Sequence, residues 1–542
     1  MKKRLISAFV LMALVSTSLL GGCNKAPQTT DSTTKTTQTA QNEKSTKLSE
    51  KPITYTWMVP DNANFPLKND NDIFKFFEEK TNVKMEFQPV PAANYKEKFN
   101  IVVNSNSLPD IFWPEKNNAN IYGPKGLFLK LNDLIDKNAP NIKKFMTADT
   151  KKYVMAQDAG IYFIPSFNPD PAESVQYAWH YRRDILNKLN LKEPTTIDEW
   201  YTVLKKVKEA YPDMIPLTTR KDDWRFDAIA YSFYVRNNII YNAKTDKFEY
   251  SPITDNMKSA MEYFSKLYKE GLLDKEYFTL TRKELDQRIT TGKVFAFAGE
   301  WYTVGCEQLK ALKKEGKEPL DLVVAVPPKT PFGEPVGMSG SKIDTQWTVA
   351  FSTKIKNPEI AIKYMDYIGF TAEGVATLEY GVKDKHWVME SYGPDYTEDY
   401  MAKYKAGNAN LNSMSLGKLD KLALVQIKHF YPTDGQGRRY AVTDPIQKLE
   451  VENKLKLAKF VPKDMDLKVA VDAFMDEETA IRTKELVTTL DNVWNESRVK
   501  FISGVEPLSN WDKFVSNMKK NKCEELEKIY NDTYQKLKQV AK

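Results

Sequence analysis

Histidine and cysteine are the scarcest residues with chemistry to offer here, three of each in 542. His180, His386 and His429 lie far apart, and no pair has the spacing of a helical zinc site, so a zinc centre has no ligand set to start from. Three cysteines cannot build a disulfide-stapled scaffold, and 42% apolar residues supply a core that needs none. An excess of one charge is missing too: 79 basic residues stand against 72 acidic ones, and the net +7 is no footprint for nucleic acid. The chain holds no Gly-x-Ser-x-Gly elbow, no phosphate-binding glycine loop, no His-Glu-x-x-His helix and no internal repeat. A glycosidase would have to rest on a carboxylate pair such as Glu300 with Asp223 or Glu115, and 72 acids supply such pairs by chance. These absences predict a non-enzyme with no metal and no cofactor.

Long apolar runs are equally few. The one that stands out, Leu5 to Leu20, follows Lys2, Lys3 and Arg4 and is too short to span a bilayer as a permanent helix. It ends in Leu20-Gly21-Gly22-Cys23, which resembles a bacterial lipoprotein box. That resemblance implies a signal peptide over residues 1–22, small Gly21 and Gly22 admitting the peptidase, and palmitate-type acyl chains on Cys23. At about 0.8 kcal/mol per buried methylene, two or three chains hold a protein to the extracytoplasmic face of the cell membrane. No other membrane contact is expected. Residues 23–50 are Thr, Ser, Gln and Lys with almost nothing to bury, and read as a flexible tether. Loss of Lys2, Lys3 and Arg4 leaves a net +4. Cys306 and Cys523 read as two buried thiols, a disulfide between them being allowed but not required.

Aromatic residues are abundant, at 12% with 10 Trp and 28 Tyr. They are core material first, but flat apolar faces also stack on sugar rings, which favours a carbohydrate ligand. Folding begins at Ile53 to Val59, an alternating strand ended by Pro60. A helix capped by Asp72, a strand from Val83 to Val90, a helix from Tyr95 to Asn104 and a strand entered at Ser107 follow. This alternation predicts a parallel sheet covered by helices. Asp184 caps a short helix. Thr196-Ile197-Asp198-Glu199 is a capping box opening an amphipathic helix with Trp200, Val203, Leu204 and Val207 on one face, and Pro212 stops it before the strand Ile215 to Thr218. Lys293 to Trp301, Leu320 to Val326 and Trp347 to Phe351 read as further buried strands, and Asn357-Pro358 opens a helix. No strand is read from Ser391 to Lys463, and Asp464 to Phe501 is mostly helical.

Tyr181-Arg182-Arg183-Asp184-Ile185-Leu186-Asn187-Lys188-Leu189, followed by Glu193-Pro194-Thr195-Thr196-Ile197-Asp198-Glu199-Trp200, resembles a signature of family 1 extracellular solute-binding proteins of ABC importers. Thr291 to Phe297, Lys356 to Tyr367 and Phe501 to Pro507 agree with their large oligosaccharide-binding lipoprotein branch, which includes alginate-binding proteins. The resemblance implies an α/β, two-lobed periplasmic-binding-protein-like fold of the type II, cluster D kind with a helical C-terminal region. One lobe would comprise 51–170 with about 340–400, the other 171–339 with about 401–542. It further implies a monomer that captures an oligosaccharide between the lobes and delivers it to the permease subunits of an ABC transporter. A secreted glycoside hydrolase or lyase, or a peptide-binding or adhesin lipoprotein, is the alternative. Two departures stand out. Ala210-Tyr211-Pro212-Asp213-Met214 crosses directly where relatives carry a calcium loop, so no calcium is expected there. Tyr380-Gly381-Val382-Lys383-Asp384 has an ammonium where relatives have a carboxylate.

Ligands of open α/β sheets sit beyond the carboxyl ends of strands. That rule selects Asn62 and Asn64 after the first strand, Trp113 and Glu115 after the third, Arg220, Asp223 and Trp224 after Ile215 to Thr218, and Glu300, Trp301 and Tyr302 after Phe297. Trp347 and Trp387 are weaker additions. Trp57 and Trp200 lie inside periodic elements and are assigned to cores, while Arg182 and Arg183 are expected to support the surface.

Overall fold

The computed structural model describes residues 47–61, 67, 69–114, 118–167, 177–221, 223–338, 343–390, 393–405, 445–461 and 467–541. The expected signal peptide, Cys23 and nearly all of the tether lie outside them. Among the described residues no helix is long and apolar enough to cross a membrane.

Two sheets organise the chain. The first contains β1 (Ile53–Asp61), β2 (Val83–Pro91), β3 (Ile111–Phe112) and β4 (Ile164–Phe167), joined by a strand from much later in the sequence, Ile343–Phe351. β1 lies between β2 and β3 and is parallel to both, as the strand–helix alternation predicts. The late strand inserts between β3 and β4 and is antiparallel to both, so the expected parallel sheet is mixed. The reason is chain direction: this strand returns from the other sheet and enters from the opposite end. Trp57 is fully buried in β1, as assigned.

The second sheet is built from β5 (Tyr177–Arg182), β6 (Ile215–Thr218), Val294–Trp301 and Leu322–Val324. With the hairpin β7 (Ile239–Asn242) and β8 (Lys247–Tyr250) counted between, the last two are β9 and β10, and the late strand of the first sheet is β11. The order is β10-β5-β9-β6, with β5 antiparallel to β9 and β10 and β6 parallel to β9. The helix Ile197–Ala210 covers this sheet, opened by the expected capping box of Thr196 and Glu199. It presses fully buried Trp200 against Trp179 of β5, ring centroids 4.9 Å apart. Arg182 and Arg183 support the surface as expected, through Asp184 and Asp321.

Two local readings change. The helix Asp72–Thr81 is capped by Asn71, whose side chain accepts from the Ile73 N–H, and Asp72 is its first residue. A hairpin of β12 (Trp387–Glu390) and β13 (Gly393–Tyr396) stands where the second strand was not expected, because four residues containing Pro394 carry no alternation to read.

The helices Leu467–Phe474 and Glu477–Ser503 touch both halves. Asn120 donates to the Ala473 carbonyl (2.8 Å) and Gln157 to that of Phe474 (3.3 Å), while Trp494 Nε1 donates to Asn237 (2.8 Å) and Asn238 to Asp491 (2.7 Å). Cys306 and Cys523 are separate buried thiols, pushed by burial up to about 12 and about 11.

Candidate functional site

β9 is buried from Val294 to Glu300, and its last residue is not. What separates them is Gly299. The register with β5 runs Trp179↔Ala298 and then Ala178↔Glu300, so Gly299 has no partner and forms a bulge at φ +77°. A Cβ there would stand 2.6 Å from the Arg225 carbonyl oxygen, so only glycine lets the helix Asp223–Ala230 approach this closely. Beyond the bulge Glu300 turns inward, fully buried, and Trp301 turns outward, 39% exposed. Tyr177, directly opposite in register, packs its ring 4.9 Å from that of Trp301.

Below this pair Glu300 gathers three guanidinium groups from three elements. Arg220, just past β6, and Arg225, in the helix beside the bulge, both pair with it, the latter at 2.8 Å. Arg282, opening the helix Arg282–Thr290, stands 3.5 Å away and also binds Asp286 (2.7 Å) and Glu307 (2.9 Å). Arg225 Nη1 donates to the Gly299 carbonyl (2.8 Å), closing the bulge, and its guanidinium lies 5.9 Å from the Tyr177 ring centroid. Burial pushes the Glu300 carboxyl above the usual glutamate range, and the arginines pull it back. A carboxylate enclosed in this way fixes arginines in position. The surface presented is an aromatic face with the arginine–glutamate cluster fixed beneath it.

Residues 48–374 match the family described as bacterial extracellular solute-binding protein. The chain belongs to that family. The fructooligosaccharide ABC transporter substrate-binding protein FusA of Streptococcus pneumoniae serotype 4 is 27% identical over 231 residues, 39% of this chain and 43% of that one, so the match spans less than half of the relative. Lipoprotein LipO of Bacillus subtilis is 23% identical over 508 residues, 86% of this chain and 89% of that one. Among solved structures, an HMO-binding, ABC-transporter-associated solute-binding protein from Bifidobacterium longum infantis superposes with a TM-score of 0.70 at 18% identity, covering 90% of this chain and 99% of that one. The α/β fold is therefore that of the two-lobed solute-binding proteins, a family of binders rather than enzymes.

Measured against this solute-binding fold, the strand-end rule brings Arg220, Glu300 and Trp301 together. Tyr302 turns away and packs against Ala178, Val324 and Leu457. Trp113 and Trp387 are corrected: they are 5% and 3% exposed and serve packing. Tyr95 bonds both the N–H and the carbonyl of Trp113 (3.0 Å each), and Trp387 Nε1 donates to the Gly381 carbonyl (2.8 Å), bracing the Tyr380 turn from within. Asn62, Asn64 and Glu115 lie outside the described residues, as do the side chains of Asp223, Trp224 and Trp347, although their backbones open a helix and lie within β11. Tyr177, Arg225 and Arg282 were missed. Tyr177 could have been found, since β5 must begin where β9 ends if the two pair antiparallel. The arginines carry no local signal, since their meeting point is made by the sheet.

Proposed function

We propose that this protein is a lipoprotein held through Cys23 to the outer face of the cell membrane, where it captures an oligosaccharide and passes it to the permease subunits of an ABC transporter. The observation that carries the reading is the Trp301–Tyr177 pair, an exposed aromatic face at a strand end with Arg220 and Arg225 fixed beneath it. Stacking takes the apolar face of a sugar ring and leaves its hydroxyl groups for polar partners. The names of FusA and of the HMO-binding protein support a saccharide ligand, and that of LipO supports the lipid anchor. The first lobe would comprise 51–170 with about 340–400 and the second 171–339 with about 401–542, the protein acting as a monomer that closes on its ligand.

Calorimetric titration with fructooligosaccharides, oligogalacturonides and milk-type oligosaccharides tests this. Trp301→Ala should weaken binding of every ligand that the unaltered protein takes by about 2 kcal/mol or more, with little change in melting temperature. Unchanged affinity with a steep fall in melting temperature would make Trp301 a packing residue and remove the site.

A further inference from the structure

A cavity of about 550 Å³, within the usual range for small-molecule sites, opens beside the β7–β8 hairpin. Its wall carries Tyr231, Tyr234, Arg236, Tyr241 and Phe332, four aromatic rings and a guanidinium, and none of its lining residues belongs to the Trp301 cluster. Tyr234 is the unusual member. It follows the 3-10 turn Tyr231–Phe233 at φ +59°, ψ +42°, a left-handed conformation that a bulky aromatic residue rarely adopts and that surrounding structure must impose. Its hydroxyl donates to the Glu334 carbonyl (2.8 Å), and its ring rests on Gly333, where a Cβ would come within 2.7 Å of ring carbons. Held in this way, the ring stays 38% exposed. A second ring, Tyr231, has the Arg236 guanidinium 5.3 Å from its centroid. The backbone strain therefore has a product: an aromatic face displayed in a cavity whose wall also carries a ring with a guanidinium over it.

One helical run links the cavity to the site already described. Arg225, which holds Glu300, and Tyr231 are six residues apart on one helical run, a rise of about 9 Å. We propose that this cavity is a further subsite for the same saccharide, Tyr234 carrying a sugar ring beyond the one on Trp301, so that the protein selects for ligand length. The inference rests on the saccharide reading above and extends it from one ring to a chain.

Titrations with neutral fructooligosaccharides and acidic oligogalacturonides, each from disaccharide to hexasaccharide, separate the two. In the unaltered protein, affinity should rise with length until both subsites are filled. Tyr234→Gly should weaken the longer ligands about tenfold and leave the shortest unchanged. Its melting temperature should hold, because glycine adopts this φ without strain. Tyr234→Phe, which keeps the ring, should retain the length dependence, and Gly333→Ala, which unseats it, should not. The same length dependence in Tyr234→Gly as in the unaltered protein would overturn the subsite while leaving the Trp301 site intact. Failure of the unaltered protein to bind any of these probes or the milk-type oligosaccharides would overturn the saccharide reading and the subsite together.

Discussion

Glu300 and Trp301 are neighbours with opposite duties, and one residue before them decides which is which. In a regular strand side chains alternate between faces, so their sides follow from the register. The bulge at Gly299 resets that parity, sending the carboxylate into the arginines and the indole toward solvent. The sequence marked both as strand-end candidates for ligand contact and could not separate them, because the bulge exists only through pairing with β5. The burial difference yields opposite expectations for two substitutions. Glu300→Gln removes the buried charge with which Arg225, 2% exposed, is paired, and should cost about 3–5 kcal/mol in urea unfolding. Trp301→Ala should leave the unfolding midpoint almost unmoved. A Glu300→Gln midpoint equal to that of the unaltered protein would mean that the arginines are balanced without it.

At the scale of elements, what was legible was what neighbours in sequence determine: the capping box at Thr196, the amphipathic face of Ile197–Ala210, and Pro358 opening its helix. Strand order was not, and the β5–β9 pair carries a consequence that only the order reveals. His180 of β5 stacks on Phe297 of β9, centroids 4.4 Å apart and rings 7° from parallel, fully buried with Nε2 3.3 Å from the Tyr302 carbonyl. Burial lowers its pKa from 6.5 to about 4. The unfolded chain therefore binds this proton at a higher pH than the folded one. The stabilising contribution is complete above pH 6.5 and is lost progressively as pH falls from 6.5 to about 4, roughly 3 kcal/mol in all. Urea melts at pH 7 and pH 5 should show the decline, and His180→Gln should flatten that part of the profile. An identical pH slope in the variant would place the acid sensitivity among the carboxylates instead.

At the scale of the whole molecule, the pairing of β11 with β3 joins Phe351 to Ile111 across much of the chain, and no local pattern announces a contact of that separation. The two-lobed arrangement was therefore legible only through family resemblance. Each sheet has its own helical cover, and the chain passes between them from β4 to β5 and from β10 to β11, with the helices Leu467–Phe474 and Glu477–Ser503 bonded to residues of both halves. In the proposed two-lobe reading, so few connections favour rigid-body movement about them. In that reading a ligand on Trp301 that also reached the first lobe would bind the closed arrangement better, and only that difference in affinity can shift the balance. Small-angle scattering should then show a smaller radius of gyration at saturating oligosaccharide, with an unchanged far-ultraviolet circular dichroism spectrum, since the elements move without remaking. Trp301→Ala, at a concentration that saturates the unaltered protein, should remain in the expanded state. A scattering curve that does not change at saturation would rule out the proposed closure on ligand.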